Sequence, residues 1–271
     1  MQGIGNDYVY VNCFEENIEN PPELSIAISD RHFGVGSDGL IMIMPSPVAD
    51  ARMRIFNADG SEAQMCGNGI RCVAKYLYEC GIKKSDRLTI ETAAGIKTIE
   101  LTTASGNVTQ VKVEMGIPGL LRNEIPMLGE NEQVIDVPLQ VNDTVLNITC
   151  VSMGNPHCIT FVDDVDSVDL NVTGKAIENH ELFPERINAH FVQQISADKV
   201  KMRTWERGSG ETLACGTGAV ATGVACVLNK LTERVINTQL PGGELTVEWT
   251  EDNKTYMTGP AELVFTGQWD E

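Results

Sequence analysis

The sequence predicts an α+β protein of two pseudo-symmetric domains, each with antiparallel and mixed strands wrapped around a buried central helix. Three observations predict it. First, Cys66-Gly67-Asn68-Gly69 and Cys215-Gly216-Thr217-Gly218 stand 149 positions apart, and Gly5-Asn6, Ala27-Ile28, Met53-Arg54 and Glu62 fall on Gly154-Asn155, Ala176-Ile177, Met202-Arg203 and Glu211 at that same offset. Matches that keep their order and spacing without a gap mark a duplicated unit. Second, short alternating segments recur in the same order around each Cys-Gly-x-Gly. Third, the run Ala219-Val220-Ala221-Thr222-Gly223-Val224-Ala225-Cys226-Val227-Leu228 is small and apolar on every face. A helix of that kind belongs at the centre of a domain.

The elements follow in order. Residues 8–11 read as a strand, and residues 22–31 as an amphipathic helix with prolines at its start. Residues 40–44 and 52–56 are strands, and Cys66 opens a helix that runs to about Tyr78 and stops at Gly81. Alternation at 88–92, 97–102 and 109–114 gives three antiparallel strands. The second half repeats the plan, with strands at 158–162, 191–194 and 201–205, a helix near 172–179 and another after Cys215. Strands at 245–249 and 262–266 complete it, and Thr98-Ile99-Glu100-Leu101 matches Thr246-Val247-Glu248-Trp249 after a one-residue slip. Residues 116–132, rich in Gly, Pro, Asn and Glu, read as the linker. The predicted domains are therefore 1–116 with 260–271, carrying Cys66, and 117–259, carrying Cys215.

Composition narrows the function. The 271 residues hold 20 Lys and Arg against 38 Asp and Glu, a net charge of −18. Such a surface repels nucleic-acid backbones and anionic lipid, so neither nucleic acid nor membrane is an expected partner. No apolar run approaches the ~20 residues of a spanning helix, and no basic-then-apolar leader opens the chain. A cytoplasmic location is expected. The eight cysteines (13, 66, 72, 80, 150, 158, 215 and 226) include no CxxC, and His157 adjoins Cys158 rather than standing at ligand spacing, so no metal is expected. Cys13, Cys72, Cys80, Cys150, Cys158 and Cys226 lie among apolar neighbours and read as small core residues.

The paired motifs carry chemistry. If a pseudo-twofold relates the halves, Cys66 and Cys215 meet in the cleft between the domains, on opposite sides of one carbon atom. A thiolate on one face and a thiol on the other can invert a stereocentre, exchanging roles after each turnover. Each cysteine precedes a helix start, where the dipole and unpaired N–H groups favour an anion. The flanking glycines let that backbone approach a substrate carboxylate and the enolate-like charge of the transition state. One Cys-Gly-x-Gly alone reads more simply as a capping turn, and His157 alone as a structural histidine. Glu206-Arg207, next to Gly208-Ser209-Gly210, fits either a surface pair or a loop aimed at Cys215.

Several fragments together resemble the diaminopimelate epimerase family. They are Gly3-Ile4-Gly5-Asn6-Asp7-Tyr8, Gly34-Val35-Gly36-Ser37-Asp38-Gly39, Phe56-Asn57-Ala58-Asp59-Gly60-Ser61-Glu62, Met65-Cys66-Gly67-Asn68-Gly69-Ile70-Arg71-Cys72, Gly154-Asn155-Pro156-His157, Arg186-Ile187-Asn188-Ala189 and the stretch from Trp205 to Gly218. The resemblance covers essentially the whole chain. It implies a cofactor-independent isomerase that interconverts LL- and meso-diaminopimelate for lysine and peptidoglycan synthesis, usually a homodimer. It implies Cys66 and Cys215 as the acid–base pair, and Gly67-Asn68 with Gly216-Thr217 as backbone donors to the reacting carboxylate. Asn6, Asn57, Asn155, Asn188, Glu206 and Arg207 are implied in substrate binding, with His157 and Glu206 tuning the thiols. Two departures stand out: Gly39 replaces a Gln found in many members, and fewer residues precede Gly5-Asn6 than members usually carry. Proline and hydroxyproline racemases are the nearest rivals, but they typically carry His where this chain has Asn68. A binding module or a thiol redox protein would leave the duplicated motif unexplained, and the latter would normally show CxxC.

Overall fold

The computed structural model describes residues 1–269. The chain forms two compact units, one built from Met1–Glu114 and the segment from Thr258 onward, the other from Met115–Met257.

The first unit runs β1 (Gln2–Gly3), β2 (Asn6–Asp7), β3 (Val9–Asn12), α1 (Pro21–Ser29), β4 (Gly39–Met44), β5 (Ala51–Asn57), β6 (Glu62–Ala63), α2 (Gly67–Glu79), β7 (Arg87–Thr92), β8 (Gly95–Ala104) and β9 (Asn107–Gly116). Its strand order is β3-β4-β5-β7-β8-β9, with β6 on β5 and β1 paired to β2. The second unit runs β10 (Val137–Val141), β11 (Thr144–Ser152), β12 (Pro156–Phe161), α3 (Lys175–Glu178), β13 (Asn188–Ser196), β14 (Lys199–Glu206), β15 (Gly210–Thr212), α4 (Gly216–Leu228), β16 (Val235–Leu240), β17 (Gly243–Trp249) and β18 (Thr255–Gly259). Its order is β10-β11-β12-β13-β14-β16-β17-β18, with β15 on β14.

The internal repeat extends to register. Val9↔Leu40 in the parallel β3/β4 pair becomes Cys158↔Ala189 in β12/β13. Leu40↔Phe56 becomes Ala189↔Trp205, and Phe56↔Glu62 becomes Trp205↔Glu211. After the slip, Ala51↔Ile90 becomes Val200↔Thr238. One-residue slips in a ladder would invert every side chain, so matched register means matched inner faces. The ion pair Arg54–Glu62 (2.8 Å) recurs as Arg203–Glu211 (2.8 Å).

In each unit the helix after the cysteine is buried. Ile70, Val73, Ala74 and Leu77 form the i, i+3, i+4, i+7 stripe of α2, and all are fully buried. On α4, Ala219, Val220, Ala221, Val224 and Ala225 are fully buried, which is every face of that stretch. Each large aliphatic side chain taken from water this way contributes roughly 1.5–3 kcal/mol.

Several sequence expectations need correction. Residues 262–266 are not a strand: Glu262 makes one bridge to Gln2, and Leu263, Val264 and Phe265 are each more than half exposed. Pro260 removes a ladder donor just after β18, and among the described residues beyond it only Glu262 makes a β-bridge. The β10–β11 hairpin, turning at Asn142-Asp143, lies outside the segments that read as strands from the sequence. The helix near 172–179 is a wide π-type turn, Leu170–Gly174, followed by the short α3. Gly174 is required there, since a Cβ would lie 2.6 Å from Trp205 Cβ. Cys80 is exposed and Cys13 only half-buried; Cys80 caps the end of α2, past its apolar stripe. Cys72, Cys150, Cys158 and Cys226 are buried.

Candidate functional site

Cys66 is the N-cap residue of α2, in extended conformation, and its sulfur accepts the Gly69 N–H at 3.3 Å. Gly67 and Asn68 form the first turn, where N–H groups lack intrahelical partners and the dipole is positive. Asn6, at the start of β2, turns its Oδ1 to the Cys66 sulfur (3.3 Å) and to Asn68 Nδ2 (3.4 Å). That orientation is enforced: Asn6 Nδ2 donates to Asp38 Oδ2 at 2.7 Å. Asn68 is fixed likewise, because the buried Arg71 donates from Nη1 to its Oδ1 (3.0 Å) and to the Gly67 carbonyl (3.2 Å). Asp38 and Arg71 lay inside the quoted motifs without a role, and only the folded geometry reveals what they hold. Asn57 donates from Nδ2 to Ser61 Oγ at 3.0 Å, and its neighbour Ala58 donates its N–H to the Asp38 carbonyl at 3.1 Å. The ladder partner of Asn57 is Gly39, where a Cβ would come within 2.1 Å of the Phe56 carbonyl oxygen. A side chain cannot be added at that position on this backbone.

The second unit repeats the arrangement with different partners. Cys215 is the N-cap of α4, 4% exposed, with Gly216 and Thr217 in the first turn. Its sulfur lies 3.8 Å from Thr217 Oγ1. Asn155 Nδ2 donates to Thr217 Oγ1 at 3.4 Å, and Asn155 Oδ1 stands 3.0 Å from His157 Nε2. His157 Nδ1 in turn meets His190 Nε2 at 2.8 Å, and His190 Nδ1 meets Thr204 Oγ1 at 2.9 Å. Both rings are fully buried. Burial, then the neighbouring His190 and then Arg207, hold His157 well below the ordinary imidazole range, and burial pushes His190 down to about 3. Both are neutral at pH 7. His190 was not singled out from the sequence, although it stands two residues after Asn188.

A third group surrounds the end of β14. Asn188, a ladder partner of His157, donates from Nδ2 to the Pro156 carbonyl (2.7 Å) and accepts the Arg207 N–H at Oδ1 (3.0 Å). Arg207 donates from Nη1 to the Glu185 carbonyl (3.0 Å), and Thr212 Oγ1 donates to Glu206 Oε2 (3.0 Å). The strut beneath this loop is Glu178, 5% exposed. Its carboxylate accepts from Trp205 Nε1 (2.7 Å), the Gly208 N–H (2.9 Å) and Arg186 Nη1 (3.1 Å). Replacing Glu178 by Gln turns one acceptor into a donor and leaves a buried N–H unmatched. The expected cost is ~1–3 kcal/mol, read as a lowered midpoint in urea unfolding, with increased proteolysis at 207–210. An unchanged midpoint would remove Glu178 as the strut.

His157, His190 and Cys215 each present a ligand-type atom, and all three lie within 4.8 Å of one another. The two imidazole nitrogens are only 2.8 Å apart. Nitrogens sharing a tetrahedral ion through bonds of ~2.0–2.1 Å stand roughly 3.3 Å apart. The cluster therefore has the geometry of a hydrogen-bonded pair rather than of two ligands on one ion. Among the described residues no helix is long and apolar enough to cross a membrane.

The family model for diaminopimelate epimerase matches residues 1–121 and 149–264. The diaminopimelate epimerase of Acetivibrio thermocellus is 53% identical over 271 residues, covering 100% of this chain and 97% of that protein. That of Methanococcus maripaludis (strain S2) is 54% identical, covering 100% and 98%. Among solved structures, a PhzF-family phenazine biosynthesis protein of Bacillus anthracis aligns with a TM-score of 0.66 at 23% identity, covering 96% of this chain and 92% of that one. A probable proline racemase of Agrobacterium radiobacter aligns at 0.65 and 18% identity, covering 88% and 78%. These two likenesses are of fold. The family match and the full-length identities above 50% establish that the chain belongs to the diaminopimelate epimerase family.

Proposed function

We propose that the chain interconverts LL- and meso-2,6-diaminopimelate by thiol and thiolate proton transfer at the α-carbon. The observation that carries this reading is the duplicated thiol at a helix N-cap, in two units of matched register, in a chain of this family. One cysteine as thiolate takes the α-proton: the C–H bond breaks, an S–H bond forms, and the electron pair moves into the carboxylate-stabilised carbanion. The other cysteine, as thiol, returns a proton to the opposite face. Gly67-Asn68 and Gly216-Thr217 present backbone N–H groups to the reacting carboxylate and to the charge that develops on it. Asn6, Asn57, Asn155, Asn188, Glu206 and Arg207 bind the rest of the substrate, with the Arg207 guanidinium answering its distal carboxylate. His157 and Glu206 tune the thiols. Acid and base are both side chains, so the reaction asks for no cofactor and no metal.

In this reading the N-terminal epimerase domain is 1–116 with 260–271 and the C-terminal one is 117–259. The enzyme works as a cytoplasmic homodimer in lysine and peptidoglycan precursor synthesis, without nucleic-acid or membrane partners. Incubation in heavy water should place deuterium at Cα of LL-diaminopimelate, with or without exhaustive chelation, and leave proline unlabelled. Labelling of proline in preference, or activity lost on chelation and restored by metal, would overturn the assignment.

A further inference from the structure

We propose that His190 is a positioning residue of the Cys215 half-site: through His157 it turns the Asn155 amide so that the Thr217 hydroxyl donates to the Cys215 sulfur. The inference rests on Cys215 acting as an acid–base thiol.

Both rings are neutral, so each carries one N–H. His157 Nε2 stands 3.0 Å from Asn155 Oδ1, an oxygen that can only accept, so the proton of His157 is on Nε2. Its Nδ1 is then bare, and at 2.8 Å the proton between the rings comes from His190 Nε2. His190 Nδ1 is left to accept from Thr204 Oγ1 at 2.9 Å. The chain has one direction from end to end. It commits Asn155 Oδ1 to His157, which leaves Nδ2 to donate to Thr217 Oγ1 at 3.4 Å. The Thr217 hydroxyl, accepting from Asn155 Nδ2, keeps its own proton available for the sulfur 3.8 Å away; either atom of that contact can donate to a thiol, and only the hydroxyl can donate to a thiolate. A donor on sulfur favours the thiolate.

The repeat supplies the contrast. Asn6 is the counterpart of Asn155, but Asp38 takes its Nδ2 at 2.7 Å, so its Oδ1 faces the thiol of Cys66 at 3.3 Å. The position equivalent to His190 is Ile41 and that equivalent to Asp38 is Ile187, so each half-site fixes its asparagine with a device the other lacks. The two amides present opposite polarity to their neighbours, and His190 sets the polarity in the Cys215 half.

The test compares His190→Ile, which copies the first unit, with His190→Gln, whose amide can still donate to His157 Nδ1. Protonation of each thiol is read by ultraviolet thiolate absorbance across a pH titration, as the difference between each protein and its Cys215→Ser or Cys66→Ser counterpart. His190→Ile should lower the acid dissociation constant of Cys215 about ten-fold, one pKa unit, leave that of Cys66 in place, and be rescued by His190→Gln. This readout does not require turnover, so its failure is separable from failure of the epimerase assignment. An unmoved Cys215 titration, a shift shared by both cysteines, or a Gln variant no better than Ile overturns the proposal. Long-range proton–nitrogen NMR of the unaltered protein tests it without any variant: it should show His157 and His190 both protonated at Nε2. Protonation of His157 at Nδ1 would reverse the chain and sink the idea.

Discussion

Alanine at either Cys66 or Cys215 should lower kcat/KM for diaminopimelate by at least the ~10²–10⁴-fold that a positioned general acid or base supplies. Epimerisation needs one proton removed and one delivered, so losing either sulfur breaks both directions of the reaction. The two variants should differ in stability. The Cys66 sulfur caps α2 by accepting the Gly69 N–H, whereas Cys215 makes no side-chain cap bond to α4. Losing an N-cap acceptor costs ~0.5–2 kcal/mol, so Cys66→Ala should melt at a lower temperature than Cys215→Ala while both are inactive. Calorimetry beside steady-state kinetics checks both parts. Near-normal turnover in either variant would remove that cysteine from the mechanism, and equal melting temperatures would remove the cap argument alone.

Gly218→Ala should damage both stability and activity, and Gly69→Ala, its counterpart at the other helix start, should do far less. A Cβ at Gly218 would lie 2.3 Å from His190 Cε1, 2.9 Å from its Nε2 and 3.0 Å from Cys215 Sγ. His190 cannot retreat without breaking its bonds to His157 and Thr204. The overpacking costs about 1–3 kcal/mol, more than the ~1 kcal/mol by which Ala exceeds Gly in helix propensity. On the proposed two-thiol reading, displacing the Cys215 sulfur by an ångström costs ~10²-fold in rate. At Gly69 the close contact is Ile41 Cδ1 at 2.5 Å, the end of a flexible side chain. A rotamer change relieves it, and the helix-propensity gain offsets most of the remainder. Unfolding midpoints and kcat for the two variants decide the matter; equal effects would mean that the histidine side of Gly218 is no more rigid than the isoleucine side of Gly69.

By itself the sequence determined the duplicated plan, both cysteine-led helices and most strands between them. Those signals are local: apolar periodicity along α2 and α4, alternation along β4, β5, β7 and β8, and short motifs repeated at one offset. Residues outside that logic escaped notice. The β10–β11 hairpin lies outside the repeated segments, and the 262–266 segment alternates like a strand but, among the described residues, bridges only to Gln2. Asn6, Asn68, Asn155, Thr217 and His157 were legible as site candidates because they sit in compact motifs beside Gly-Asn or Cys-Gly. Asp38, Glu178 and His190 were not, because each acts on a residue distant along the chain. Asp38 meets Asn6 from 32 positions away, Glu178 meets Gly208 from 30, and His190 meets His157 from 33. A sequence records which side chains can donate and accept, but amide orientation and imidazole tautomer depend on which partners the strands bring within 3 Å. Only the tertiary structure decided that Cys66 faces an asparagine oxygen held by Asp38, while Cys215 stands at the end of a directed chain from two buried, neutral histidines.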